Sequence, residues 1–124
     1  MRLGSCTWPS RKMMSLQDRP FSVMISENGL SCNDIVFRDG QVHDPKRIDF
    51  LHRYLTELSR AIAEGAPVKG YLQWSFLDNF EWANGYDERF GIIYVDYPTL
   101  RRIPKDSAAW YARVIATNGD CLNG

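Results

Sequence analysis

Apolar residues recur at two different spacings along the chain. Short runs rich in β-branched and aromatic residues occur at residues 21 to 25 and 68 to 72, a pattern typical of strands. From Asp44-Pro45 to Gly65 the spacing instead predicts an amphipathic helix of roughly twenty residues, with a cap and a preorganised first turn at its start. The apolar positions of that helix are Ile48, Leu51, Tyr54, Leu55, Leu58 and Ile62.

A strand, a crossover helix and a second strand form a βαβ unit, whose two strands run parallel. The carboxyl ends of the predicted strands therefore lie at one edge of the sheet. A further β-rich segment is predicted from Phe90 to Tyr97, where Pro98 breaks it. A last helix is predicted from Asp106 or Ser107 to Asn118-Gly119, and Trp110-Tyr111 is expected to pack it onto the sheet.

Both predicted parallel strands are followed by residues that suit sugar binding. Glu27 follows the first run and precedes Asn28-Gly29, which turns the chain. Residues 74 to 82 read W-S-F-L-D-N-F-E-W and combine tryptophans, phenylalanines and two carboxylates, which cannot share one buried face. Indole faces stack on sugar rings, and carboxylates accept hydrogen bonds from hydroxyls. The alternative is an ordinary turn glutamate and a hydrophobic loop cluster with two solvated acids.

These two segments resemble family 1 glycoside hydrolases, the β-glucosidase family. Residues 26 to 29, S-E-N-G, resemble the nucleophile motif T-E-N-G, and residues 74 to 82 resemble the family's W-S-L-L-D-N-F-E-W. The resemblance implies an α/β fold that is the C-terminal portion, about the last two βα units, of a (β/α)8 TIM barrel. Phe21 to Ser26 would be the seventh strand and Val68 to Trp74 the eighth. A complete barrel needs about 250 residues, so this chain is expected to be incomplete.

The resemblance also implies roles for individual residues. Glu27 matches the family's catalytic nucleophile. Trp74 matches the stacking platform under the bound sugar, Glu81 and Trp82 match residues that bind its hydroxyls, and Phe90 is a candidate aromatic wall. The family's general acid/base lies in an N-E-P motif, which these 124 residues lack. We therefore expect a β-glucosidase-type retaining glycoside hydrolase that is inactive as this fragment alone. The alternative is a non-catalytic remnant or complementing fragment with at most weak sugar binding.

The substrate that the resemblance implies is an unphosphorylated β-glucoside or related oligosaccharide. The family's 6-phospho-glycosidases typically replace the Glu81-Trp82 pair by smaller residues and add a phosphate-binding Ser, Lys and Tyr nearby. Residues 84 to 90 contain no lysine. A separately encoded N-terminal barrel portion is a candidate partner.

Charge and cysteine content argue against several other functions. Fifteen basic and fifteen acidic residues leave no net charge and form no long run, which argues against nucleic acid or an anionic membrane as a partner. No apolar stretch approaches about 18 residues and the N-terminus has no signal-like core, so a cytoplasmic location is expected. Cys6, Cys32 and Cys121 lack metal-ligand spacing. We expect reduced thiols, no metal and no cofactor.

The first nineteen residues lack the W-E-x-x-P-x-G-L segment that family members carry before the nucleophile strand. We therefore divide the chain into an unmatched segment, 1–19, and a C-terminal part of a family 1 barrel, 20–124. A one-base shift of the reading frame over Leu3 to Ser10 is compatible with W-E-V-V-P-G-L. The working hypothesis is a frameshifted or truncated gene model.

Overall fold

The computed structural model describes residues 21–123, so the segment 1–19 and Cys6 lie outside the described residues. The described part contains four short strands and two helices. In chain order they are β1 (Val23–Asn28), α1 (Pro45–Ala63), β2 (Val68–Gln73), β3 (Ile93–Asp96), β4 (Arg101–Pro104) and α2 (Asp106–Ala116). Two short 3-10 turns, Trp82–Asn84 and Asp120–Asn123, follow β2 and α2. The α/β class is confirmed, and residues 21–123 form two two-stranded sheets rather than a closed barrel.

The predicted βαβ unit is present. β1 and β2 pair in parallel, and α1 connects them. β1 begins two residues later than the predicted run and ends at Asn28. Glu27 is therefore the second-to-last residue of the strand rather than the first residue after it. β2 ends at Gln73, which makes Trp74 the first residue after the strand. Both candidate segments therefore lie at the carboxyl ends of adjacent strands.

The pairing of β1 with β2 is irregular in the stretch that contains Glu27. Ile25 pairs with Tyr71 and Asn28 with Gln73, so β1 has one more residue than β2 between these two pairs. Ile25 and Tyr71 both pack on the helix side of the sheet, and Tyr71 also bonds the side chain of Asn28. Successive strand residues point to opposite faces. Glu27, next to Asn28, therefore lies on the face that the helices leave open.

Helix α1 begins at Pro45, as the sequence predicts, and Gly65 follows its end with a φ of +99° that favours glycine. Its buried apolar face consists of Leu51, Leu55 and Leu58. Asp44 occupies the N-cap position, as predicted, but its side chain makes no capping hydrogen bond. Its carboxylate instead accepts hydrogen bonds from Arg47 and from the backbone N–H of Ser107.

The β-rich segment predicted from Phe90 to Tyr97 contains β3, but its partner strand was not predicted. β3 pairs antiparallel with β4, across a turn that includes Pro98 and places Leu100 at a φ of +59°. β4 is short and mostly exposed, and its R-R-I-P sequence has little strand pattern. The hairpin packs beside the parallel pair through residues that follow β2.

Helix α2 closes the helix layer, in agreement with the predicted last helix. The core cluster contains Leu55, Leu58, Val114 and Leu122, and residues of β1 and β2 pack against it. Trp110 and Tyr111 also pack against this cluster, as expected for side chains that hold the last helix on the sheet. In residues 21–123, neither helix has the length and apolarity needed to cross a bilayer.

His43 links the segment before α1 to the start of α2. Its Nδ1 lies 2.7 Å from Asp106 Oδ2 and its Nε2 lies 3.0 Å from Asp39 Oδ2. These hydrogen bonds, chiefly the one to Asp106, raise the pKa of His43 above its ordinary 6.5. A pKa that is higher in the folded state stabilises the fold below the unfolded-state pKa, and the benefit disappears as pH rises through the folded-state pKa.

We therefore expect an NMR titration of the full chain to give a His43 pKa above 6.5, and stability to fall as pH rises through that value. Asp106→Asn should lower the His43 pKa, because it removes the main acceptor. Asp49→Asn is the matched control, since Asp49 pairs with Arg53 on α1. An equal effect of the two substitutions on the His43 titration would contradict this account.

Candidate active site

The carboxyl ends of β1 and β2 are joined directly by a backbone hydrogen bond. The N–H of Trp74 donates to the carbonyl oxygen of Asn28 at 2.8 Å. Gly29 allows this close approach, because a Cβ at that position would lie 1.8 Å from the carbonyl oxygen of Trp74. The S-E-N-G and W-S-F-L-D-N-F-E-W segments predicted to share an edge are therefore in contact, and glycine is required where they meet.

We call residues 74–82 the rim loop. Its first half is held by backbone pairing to residues 90–93, and the hydrogen bonds from Ser75 to Phe90, Ile92 to Ser75, Ile93 to Phe76 and Asp78 to Ile93 are 2.9 to 3.1 Å long. Gly91 is a second position of close approach, because a Cβ there would lie 2.2 Å from the backbone nitrogen of Asp78. The first half of the loop is thus hydrogen-bonded to a neighbouring segment as a strand would be, which suits a surface that must hold side chains in fixed positions.

The rim loop brings Trp74 and Glu81 together. The indole Nε1–H of Trp74 donates to Glu81 Oε2 at 3.4 Å. The N–H of Glu81 donates to the carbonyl oxygen of Gly85 at 2.6 Å, which closes the second half of the loop. Trp82 follows with a φ of +44° and an exposed fraction of 83%. An indole face, a carboxylate and a second exposed indole therefore lie on one loop, the combination that stacks on a sugar and accepts its hydroxyl hydrogens.

Phe90 is half-buried, and its backbone supports the rim loop. Its carbonyl oxygen accepts the N–H of Ser75 at 3.1 Å and the side-chain amide of Gln73 at 3.4 Å. These hydrogen bonds hold the main chain of Phe90 beside the start of the rim loop. Glu27 itself is exposed at the end of β1.

Asp78 departs from the expectation that both acids of the rim loop face solvent or ligand. Its side chain is fully buried and accepts hydrogen bonds from Lys105 Nζ at 2.8 Å and Arg89 Nη1 at 2.7 Å. The backbone N–H groups of Gly91, at 3.0 Å, and Val95, at 3.3 Å, add two more hydrogen bonds. A carboxylate saturated by two cations and two backbone donors cannot also receive a sugar hydroxyl. Glu81 is therefore the acid of the rim loop that is available to a ligand.

Asp78 belongs to a larger set of buried charges, which we call the charge network. Arg47 is fully buried and donates to Asp34 at 2.7 Å, to Asp44, and to the carbonyl oxygen of Arg89 at 2.8 Å. Lys105 donates to Asp34 as well as to Asp78. The members, three acids and three bases, are Asp34, Asp44, Asp78, Arg47, Arg89 and Lys105. Each buried charge has an opposite partner, as burial requires.

The charge network connects the two strand-end segments with the start of α2. Asp34 lies in the loop after β1, Asp78 lies in the rim loop after β2, and Lys105 immediately precedes α2. One ammonium group therefore bridges the two loops. The sequence analysis did not identify Arg89 or Lys105 as partners of Asp78. Motif position alone does not show which charged side chain is buried.

Aromatic side chains support the second half of the rim loop. Phe80 packs edge-on against Tyr86, with ring centroids 5.4 Å apart, and Tyr86 packs against Tyr97 at 4.5 Å. The Arg89 guanidinium lies 4.1 Å from the ring centroid of Tyr94 and 4.5 Å from that of Tyr97. Such contacts favour fixed ring orientations. They connect the exposed end of the loop to the buried charge of Asp78 through Arg89.

Comparison with known proteins shows similarity to glycoside hydrolases over most of the chain. The model of Glycosyl hydrolase family 1 matches residues 10–120. Beta-glucosidase A of Thermotoga maritima is 52% identical over 108 residues, which are 87% of this chain and 24% of that protein. A 6-phospho-beta-galactosidase of Leptotrichia buccalis is 50% identical over 95 residues, 77% of this chain and 20% of that protein.

The solved structure of Thermotoga maritima beta-glucosidase in complex with noeuromycin is similar to the described fold. The TM-score is 0.85 at 51% identity, and the match covers 90% of this chain and 25% of that chain. The chain therefore spans about a quarter of the length of that relative. The expected C-terminal barrel portion is confirmed by this match.

Proposed function

We propose, because this chain belongs to glycosyl hydrolase family 1, that it supplies the nucleophile and part of the sugar-binding surface of a retaining β-glucosidase. The observation that carries this proposal is the direct contact between the ends of β1 and β2. The 2.8 Å hydrogen bond from Trp74 to Asn28 keeps Glu27 next to a loop that presents an indole and a carboxylate. A retaining glycosidase needs this combination of a nucleophilic carboxylate beside a bound sugar.

The role of Glu27 follows from the chemistry of retaining hydrolysis. Its carboxylate attacks the anomeric carbon and forms a glycosyl ester, while a second carboxyl group protonates the leaving oxygen. Water then hydrolyses the ester, with the second group acting as a base. The two carboxyl groups must be about 5 to 5.5 Å apart. These 124 residues lack an N-E-P motif, so the second group is assigned to the remaining barrel units.

The rim loop defines the substrate class of the proposed enzyme. Trp74 stacks under the sugar, and Glu81 and Trp82 bind its hydroxyls. Glu81 is already held by the Trp74 indole N–H, which leaves its other carboxylate oxygen for a sugar hydroxyl. A carboxylate at this position repels a phosphate group, so a neutral β-glucoside or related oligosaccharide is the favoured substrate. Phe90 is proposed as an aromatic wall beside the sugar.

A second candidate function is that of a complementing fragment. The helices cover one face of the β1–β2 pair, whereas Met24 and Leu72 are 61% and 54% exposed. Exposed apolar side chains next to unpaired strand edges favour association with further strands. In a complete family 1 barrel, further βα units would cover them. We propose a separately encoded N-terminal barrel portion as the partner, and a non-catalytic remnant with weak sugar binding as the outcome if there is none.

The test compares the full chain alone with an assembled enzyme. The assembled enzyme is the full chain co-expressed with the first six βα units of the Thermotoga maritima relative. We expect no hydrolysis of an aryl β-glucoside by the full chain alone above its Glu27→Gln control, because general acid/base catalysis is worth about 10² to 10⁴ in rate and the acid is absent. We expect turnover by the assembled enzyme.

Two results would contradict the proposal. Turnover by the full chain alone, abolished by Glu27→Gln, would show that a general acid exists among these residues. A stable assembled enzyme that binds glucose but does not hydrolyse the glucoside would support the remnant instead. Co-expression with Glu27→Gln provides the background rate for both measurements.

A further inference from the structure

The residue after Glu27 is held from two directions. Its carbonyl oxygen accepts the Trp74 N–H, and its side-chain oxygen accepts the hydroxyl of Tyr71 at 2.8 Å. Tyr71 lies 43 positions away, on β2, and belongs to the partly buried residues that pack against the core cluster. The backbone contact fixes Asn28 against the rim loop, and the side-chain contact fixes it against the helix side of the sheet.

This second contact coincides with the irregular pairing of β1. In a regular strand Glu27 would share a face with Ile25, which packs against the helices. The additional residue between Ile25 and Asn28 changes that alternation, and the Tyr71 hydroxyl bonds Asn28 at the end of the irregular stretch. A β-bulge can re-aim a side chain. Here the Tyr71–Asn28 hydrogen bond lies where Asn28 faces the helix side and Glu27 is exposed.

The environment of Tyr71 suits a permanent donor. Burial, the largest cause, raises the pKa of Tyr71 well above its ordinary 10, so the hydroxyl remains protonated over the working pH range. Its ring is fixed by the core cluster, so the position of its oxygen is set by packing that is independent of the rim loop. A donor whose own position is fixed in this way can hold Asn28, at the end of β1, in place.

We propose that Tyr71 is a positioning residue for the nucleophile, acting through Asn28 to direct the Glu27 carboxylate toward the sugar. The inference rests on the proposed function, because it assigns Tyr71 to the same site. It predicts that losing one hydroxyl, without losing the ring, slows the attack of Glu27 and leaves sugar binding unchanged. Tyr71 touches neither the sugar nor the reacting atoms.

The first experiment compares Tyr71→Phe with Tyr111→Phe in the assembled enzyme. Tyr111 packs against the same cluster, burial also raises the pKa of its hydroxyl, and that hydroxyl has no hydrogen-bond partner among residues 21–123. A fluorinated aryl glucoside labels the nucleophile. We expect Tyr71→Phe to lower the rate constant for labelling about tenfold, the size of one neutral hydrogen bond. Its affinity for glucose, a neutral sugar, should stay within about twofold of the parent, as should both constants of Tyr111→Phe.

This pair of readouts separates positioning from a loss of folded protein. A purely structural defect lowers the fraction of enzyme that is labelled but not the rate constant of the labelled fraction. Unchanged labelling by Tyr71→Phe, or equal slowing by Tyr111→Phe, would overturn the inference. Equal losses of labelling rate and of glucose affinity would also overturn it, because they indicate a distorted sugar site rather than a misdirected carboxylate.

The second experiment uses the full chain without partners and needs no activity. Hydrogen exchange of the Trp74 amide reports whether Asn28 stays in place, since that N–H donates to the Asn28 carbonyl. We expect about tenfold faster exchange in Tyr71→Phe than in Tyr111→Phe. Equal exchange in the two variants would overturn the proposed link. If the assembled enzyme labels at another residue, the proposed function fails and the role of Tyr71 in catalysis fails with it, whereas faster exchange would still show that the hydroxyl holds the strand ends.

Discussion

Replacing Glu27 by glutamine in the assembled enzyme is expected to lower kcat/KM for an aryl β-glucoside by several orders of magnitude, on the order of 10⁵-fold. Losses of this size follow removal of the nucleophile of a hydrolase. Glutamine has nearly the shape of glutamate but cannot form the glycosyl ester. Steady-state kinetics measures the loss, and binding of glucose in the same variant checks that the sugar site remains folded.

Glu81→Ala is the matched comparison for this prediction. It removes a carboxylate acceptor for sugar hydroxyls, and a charge-assisted hydrogen bond is worth about 1.5 to 3 kcal/mol. We therefore expect kcat/KM for glucosides to fall about ten- to a hundredfold while Glu27 still reacts with a fluorinated glucoside. Equal losses in the two variants would show that the roles of Glu27 and Glu81 have been assigned wrongly.

Asp78→Asn is expected to lower the free energy of unfolding of the full chain by about 3 to 5 kcal/mol, the cost of breaking a buried ion pair. The substitution keeps the shape of the side chain but leaves Lys105 and Arg89 buried with less negative charge around them. Urea unfolding followed by tryptophan fluorescence measures the change. A variant that is already unfolded without urea has lost at least the stability of the parent, which agrees with the prediction.

Asp87→Asn provides the control for Asp78→Asn. Asp87 is exposed in the segment after the rim loop, and surface substitutions of this kind usually change stability by less than about 0.5 kcal/mol. Both variants lose one negative charge, so any effect of net charge is shared. Similar unfolding midpoints for the two variants would contradict the assignment of Asp78 to the charge network.

Periodic elements of the fold could be predicted because their physical causes are local. The apolar spacing of α1 and the Pro45 and Gly65 signals define a helix that the structure places at Pro45–Ala63. The predicted parallel pair also follows, because a crossover of that length allows few other arrangements. The contact between the two strand-end segments is a consequence of this topology. It required no knowledge of the individual side chains.

Other features depend on contacts between distant residues and could not be predicted from the pattern. The irregular pairing near Glu27 coincides with the hydrogen bond from Tyr71 to Asn28, and the buried Asp78 pairs with Lys105, which lies 27 positions away. The sequence around an aspartate in a loop motif does not show whether its side chain faces solvent or forms a buried ion pair. β4 was missed for a similar reason, since its strand character comes from pairing with β3 rather than from its own sequence.

The proposed role of Glu27 is that of the nucleophile of a retaining glycosidase to which this chain contributes. The most direct test is to treat the assembled enzyme with a fluorinated aryl glucoside, digest it, and locate the attached sugar by mass spectrometry. We expect one fluoroglucosyl group per enzyme, attached to Glu27, and none in the Glu27→Gln variant. A label on any other carboxylate, or hydrolysis with inversion at the anomeric carbon and no labelled peptide, would contradict it.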